Sequence, residues 1–225
     1  MAKDSLTATI DMLFKKGRWP EARALLEKER EKQPSDHWVL TQLGVAFYEE
    51  RHYREALQLF LASQKVVPDC PLTLWNLAGT LDALGNPVEA VRIYTWLLES
   101  RQTATADSCW ESKEWTEALK ADCVYRLAAC FQQMGRAGTA AHCYRQYINI
   151  LASGIQGLYS SNDAMQQIQK LQATAPPNGS RRALKEAVNA TLAASGRSTR
   201  KKNRIAVLEF DEAKLLPRRR VATTK

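Results

Sequence analysis

At 225 residues the chain is long enough for one sizeable domain and a tail, and an apolar content of 45% suits a folded core. Its formal net charge of +8 is unevenly spread: residues 1–175 hold 19 Lys+Arg against 20 Asp+Glu, whereas residues 176–225 hold 13 against 4, which separates a neutral body from a basic tail. No window approaches the run of about 18 to 20 apolar residues that a membrane-spanning helix needs, which excludes that class.

The opening segment, MAKDSLTATIDMLFKKGRWP, has no long apolar stretch and no small-residue cleavage site, so no secretory signal is expected. Five cysteines, an odd number without a CxxC pair, are then expected as reduced thiols in a cytoplasmic protein. From residue 43 the chain writes one phrase three times: LGVAFYEERHYREALQLF (43–60), LAGTLDALGNPVEAVRIY (77–94) and LAACFQQMGRAGTAAHCY (127–144). Aligned on an alanine, Ala22, Ala56 and Ala90 lie 34 residues apart, and Ala140 follows 50 later. Other positions recur with them. Leu43, Leu77 and Leu127 match; Gly44, Ala78 and Ala128 are small; Leu13, Phe47, Leu81 and Phe131 are large, as are Leu26, Phe60, Tyr94 and Tyr144.

Within a repeat the apolar residues have helical spacing, as in Leu40, Leu43, Phe47 and then Leu57, Phe60, Leu61. Gly85-Asn86-Pro87 breaks the third repeat and Gly135 the fourth, so each repeat is expected to be a helix–turn–helix. No such pair buries its apolar face alone, which is the reason to stack several. Extra residues at 103–118 separate the third and fourth repeats; they are expected to form a loop and a lengthened first helix. Met165, Ile168 and Leu171 then mark a capping helix within 155–174. Beyond it, 175–225 reads as a basic, largely disordered tail with a short helix at 181–194.

The pattern resembles the tetratricopeptide repeat, through the period, the Leu43-Gly44 pair, Phe47, Ala56, Phe60 and Pro68. The resemblance covers residues 3–152 and implies an all-α, right-handed α-solenoid of about four helix pairs plus the capping helix. The pairs would occupy about 3–36, 37–70, 71–102 and 121–152. In that family the first helix of each pair lines a concave surface. Here that implies Trp38, Thr41, Val45 and Tyr48 in the second repeat, Leu72, Trp75, Gly79 and Asp82 in the third, and Asp122, Tyr125, Ala129 and Gln132 in the fourth. The candidate peptide-binding groove is thus Trp38, Thr41, Val45, Tyr48, Trp75, Asn76, Tyr125 and Arg126. A Lys/Asn/Arg clamp for terminal carboxylates, known in one branch of the family, is matched only by Asn76. The competing reading of Trp38 and Trp75 is packing between repeats.

No catalytic, cofactor or metal site is expected. His37, His52 and His142 fall in three different repeats, and no Gly-rich phosphate loop, GxSxG or HExxH occurs. Cys123 and Cys130 share a helix face at a spacing wider than metal clusters use. The expected function is a non-catalytic protein-interaction module, adaptor or chaperone-like, whose partner is an extended peptide or helix of another protein. The alternative is a nucleic-acid-associated protein. It would use Arg200, Lys201, Lys202, Arg204, Arg218, Arg219 and Arg220 to grip a polyanion or anionic surface, and the repeats for recruitment.

Overall fold

The computed structural model describes residues 2–100, 109 and 112–174. The chain divides into two compact halves, with described residues 2–86 in the first and 87–174 in the second. Among the described residues every regular element is an α-helix. The first half holds α1 (Ala2–Lys15), α2 (Trp19–Lys32), α3 (His37–Glu49), α4 (Tyr53–Val66) and α5 (Pro71–Ala83). The second holds α6 (Pro87–Glu99), α7 (Lys113–Gln133), α8 (Ala137–Ala152) and α9 (Ser161–Thr174). Within each half, every helix packs on the next.

Local chemistry sets the helix ends. Asp36 caps α3 by accepting from the Val39 N–H at 3.0 Å, and Ser112 caps α7 by accepting from the Trp115 N–H at 3.1 Å. Pro71 and Pro87 open α5 and α6, where a missing N–H costs nothing. Four helices end in the same way, on a residue in the left-handed region: Gly17 (φ 66°), Arg51 (φ 62°), Gly85 (φ 80°) and Gly135 (φ 73°). After each, the next N–H reaches back five residues, as in His52 N–H to the Phe47 carbonyl at 2.8 Å and Asn86 N–H to Leu81 at 2.8 Å. This double closure satisfies carbonyls that the helix end would otherwise orphan.

The alanine register organises the packing. Ala22, Ala56, Ala90 and Ala140 are all fully buried, as are Leu43, Leu77, Phe60 and Tyr94. In the first half Ile10, Leu13, Ala22, Leu26, Val39, Leu40, Leu43 and Leu59 form one cluster, with Trp38 and Phe47 against it. Arg23 links α2 to the end of α3: its Nε lies 2.8 Å from the Glu50 carboxylate, and its guanidinium sits 5.3 Å from the Phe47 ring centre.

Two expectations change. The last helix starts at Ser161 rather than near 155, because Ser160 and Asp163 cap it reciprocally: Asp163 N–H donates to Ser160 Oγ at 3.1 Å, and Ser160 N–H to Asp163 Oδ2 at 2.9 Å. Residues 155–160 are not helical. On α9 the buried residues are Ala164, Ile168 and Leu171, and Met165 faces solvent. The described part of the insertion is the cap and the first turns of α7, which runs for 21 residues where α3 and α5 have 13 each. The rest of the insertion and the tail from 175 onward, with its expected helix at 181–194, lie outside the described residues.

Candidate functional site

Helical spacing puts Trp38, Thr41, Val45 and Tyr48 on one side of α3. Trp38, Val45 and Tyr48 are half-buried there, and Trp75 and Asn76 are half-buried on the neighbouring α5. Tyr48 packs edge-on against Tyr53, ring centres 5.2 Å apart. The Trp75 Nε1–H is out of solvent and has no acceptor among the described residues. Asn76 spends its amide within its own helix, donating to the Leu72 carbonyl at 2.9 Å.

Thr41 does not line an open surface. It is 1% exposed, and its hydroxyl sits 2.8 Å from Ser63 Oγ and 2.9 Å from Thr73 Oγ1 while donating to the His37 carbonyl at 2.9 Å. With one proton per hydroxyl, only some of these contacts are donated at a time. The group is nonetheless a buried polar knot that ties α3, α4 and α5. His37 Nε2 adds a contact to Thr73 Oγ1 at 3.2 Å. Cys70 caps α5 beside them. Burial pushes its thiol up, but hydrogen bonds with His37 and Thr73 outweigh this and hold it below the ordinary thiol value. The other sulfurs behave differently. Burial pushes Cys123 up and Cys143 to about 11, so both are protonated at neutral pH.

The second half carries a tyrosine cluster. Tyr125 of α7 lies edge-on to Tyr144 and Tyr147 of α8, at 5.1 Å and 5.2 Å, and stacks flat on Tyr159 at 3.8 Å with 6° between the ring planes. Asp122, one turn before Tyr125, is 4% exposed. It accepts from the Leu158 N–H at 2.8 Å, and the Tyr147 hydroxyl is 3.3 Å away. Burial raises the Asp122 carboxyl above the usual carboxylate range, against the lowering effect of the Leu158 N–H. Arg126 points elsewhere, donating from Nε to the buried Tyr94 hydroxyl at 3.2 Å. Beside the cluster, Glu114, Trp115, Glu117 and Ala118 of the lengthened α7 face Gly154, Ile155 and Gln156 across a cleft of about 410 Å³.

Residues 41–104 match the family model described as tetratricopeptide repeat. That stretch carries the tetratricopeptide pattern. Solved structures agree on the fold. A MamA fragment (41-end) from Desulfovibrio magneticus RS-1 superposes with a TM-score of 0.56 at 13% identity, over 88% of this chain and 97% of that one. The TPR-like repeats of a putative kinesin light chain from Podosopora anserina give 0.55 at 17% identity, over 88% and 97%. No curated protein sequence is significantly similar to the chain.

On this helical scaffold the candidate groove residues divide between the two halves. Trp38, Val45 and Tyr48 lie half-buried on α3 and Trp75 and Asn76 half-buried on α5, Thr41 is internal, and Tyr125 and Arg126 belong to the second half. The residues that the repeat pattern does not pick out are Tyr147 and Tyr159. One signal was present: Tyr147 stands seven residues after Ala140, where the equivalent positions after Ala56 and Ala90 are Ser63 and Leu97. The basic residues Arg200, Lys201, Lys202, Arg204, Arg218, Arg219 and Arg220 lie outside the described residues. No described helix is long and apolar enough to cross a membrane.

Proposed function

We propose that the chain is a protein-interaction module, an adaptor or chaperone-like holder that grips an extended peptide or a helix of another protein along α3 and α5. The observation that supports this most is Trp75, a half-buried indole whose Nε1–H has no acceptor among the described residues. An unmet buried donor costs about 1 to 3 kcal/mol, and a carbonyl of a bound chain would relieve it. Trp38, Val45 and Tyr48 add half-buried apolar and aromatic area on the adjacent helix. None of these residues is charged, so the face suits an apolar or aromatic segment rather than an acidic one.

The test is capture of partner proteins by the full chain and by Trp75→Ala, with a circular dichroism melt of each. Loss of a central aromatic anchor should weaken capture by about tenfold or more, with a small change in melting. If Trp75 serves packing alone, the variant should instead lose about 3 to 5 kcal/mol of stability. A stable variant that captures every partner as before would remove α3 and α5 from consideration.

A further inference from the structure

The chain lays six of its own residues, Ile155 to Ser160, against α7 and α8, and three hydrogen bonds there are made to their main chain. Leu158 N–H donates to Asp122 Oδ1 at 2.8 Å. Tyr159 N–H donates to the Tyr147 hydroxyl at 3.1 Å, and that hydroxyl gives its single proton to the Tyr159 carbonyl at 2.6 Å. Leu158 is 72% exposed, so its side chain is open to substitution. Gly157 is selected: a Cβ there would overlap the Tyr147 hydroxyl and come within 2.8 Å of Asp122 Oδ1. Neither neighbour can step aside, because Tyr147 is fully buried and Asp122 nearly so. Tyr159 is selected too, by its flat stack on Tyr125.

The surface therefore reads a glycine, then any residue, then an aromatic ring, through two amides, one carbonyl and one face of Tyr125. Main-chain bonds of this kind supply affinity to a bound peptide, and the side chains between them supply choice. A loop held only for connection would have no need of a desolvated carboxylate, which is costly unless its hydrogen bonds are met. The segment is also lightly held. Gln156, Gly157, Leu158 and Ser160 are exposed, and Ile155 and Tyr159 are only half-buried, so it belongs to the part of the chain that opens most easily.

We infer that Asp122, Tyr125 and Tyr147 form a binding site for a Gly-any-Tyr peptide in the bent conformation of this chain's own residues 157–159, which occupy it here. The site shares no residue with the α3–α5 face, so the two readings stand or fall separately. Tethering gives the resident segment an effective concentration on the order of millimolar, so a free peptide of the same sequence competes poorly until the tether is weakened.

The experiment weakens the tether without altering the site. In the full-length chain, Gly157→Ala should leave Asp122, Tyr125 and Tyr147 in place and lift the segment. The Leu158 and Tyr159 amides, each hydrogen-bonded in the wild type, should then exchange faster than they do there. A labelled hexapeptide of sequence IQGLYS should bind this variant at least about tenfold more tightly than it binds the wild type. A peptide with serine at its leucine position should bind equally well. Peptides with alanine at the glycine or tyrosine position should not bind. If Gly157→Ala loses its helical circular dichroism, Tyr159→Ala, which retains the glycine, carries the same measurements. Faster-exchanging amides with no peptide bound would overturn the inference, and so would a Gly157→Ala variant whose amides exchange as in the wild type.

Discussion

A methyl group added at Gly44 would meet the Phe60 ring at 2.6 to 2.9 Å. Phe60 is fully buried and has nowhere to turn. Gly44→Ala should therefore lower stability by about 1 to 3 kcal/mol, read as a lower melting temperature, whereas alanine for glycine at an ordinary helical site would raise it. Asp122 gives a second expectation, in pH. Its carboxyl is raised by burial, so the folded state holds its proton more tightly than the unfolded state does. The favourable contribution is complete below the ordinary carboxylate value of about 3.9 and is lost as pH rises through the raised value. Asp122→Asn retains an acceptor for the Leu158 N–H and cannot ionise. Its melting temperature relative to the wild type should rise between about pH 4 and pH 7; a difference that does not vary with pH would show that Asp122 titrates as a free side chain. At this scale the apolar register was readable, since Ala22, Ala56, Ala90 and Ala140 recur at fixed places and are all fully buried. Thr41 was not readable: a lone hydroxyl on a helix side looks open until Ser63 and Thr73, 22 and 32 residues away, arrive beside it.

Among the elements, the four turns inside the helix pairs show one conformation carried by two kinds of residue. Three use glycine, and the second uses Arg51 at φ 62°. An L-residue other than glycine pays roughly 1 kcal/mol or more in that region, partly offset by the greater freedom that glycine has when unfolded. Arg51→Gly should raise stability by up to about 1 kcal/mol, measurable by urea titration; a loss would mean that the arginine side chain contributes more than its backbone costs. Helix breaks were legible wherever glycine or proline marked them, as at Gly85-Asn86-Pro87 and Gly135. The stretch at 155–160 was not legible as non-helical, because Ile155, Leu158 and Tyr159 have the spacing of a helix. What holds that stretch out of a helix is Asp122, 36 residues earlier, together with Tyr147, and no local pattern records such a partner.

For the molecule as a whole, every residue of the described core lies between Ile10 and Leu171. A chain ending at residue 174 should keep its helical circular dichroism and its melting midpoint, and a marked fall in either would assign a structural role to the basic tail. Period and composition were enough to read an all-α repeat fold. They were not enough to decide which helix sides stay open, because that depends on which neighbour covers them. The resident segment at 155–160 also has a consequence in time. A partner that must wait for it to leave cannot be hurried by raising its own concentration. The rate of capture would climb with partner at first and then level off at the rate at which the segment lifts. A brief surge of partner would go largely unanswered, and only one that outlasts the lifting would be held.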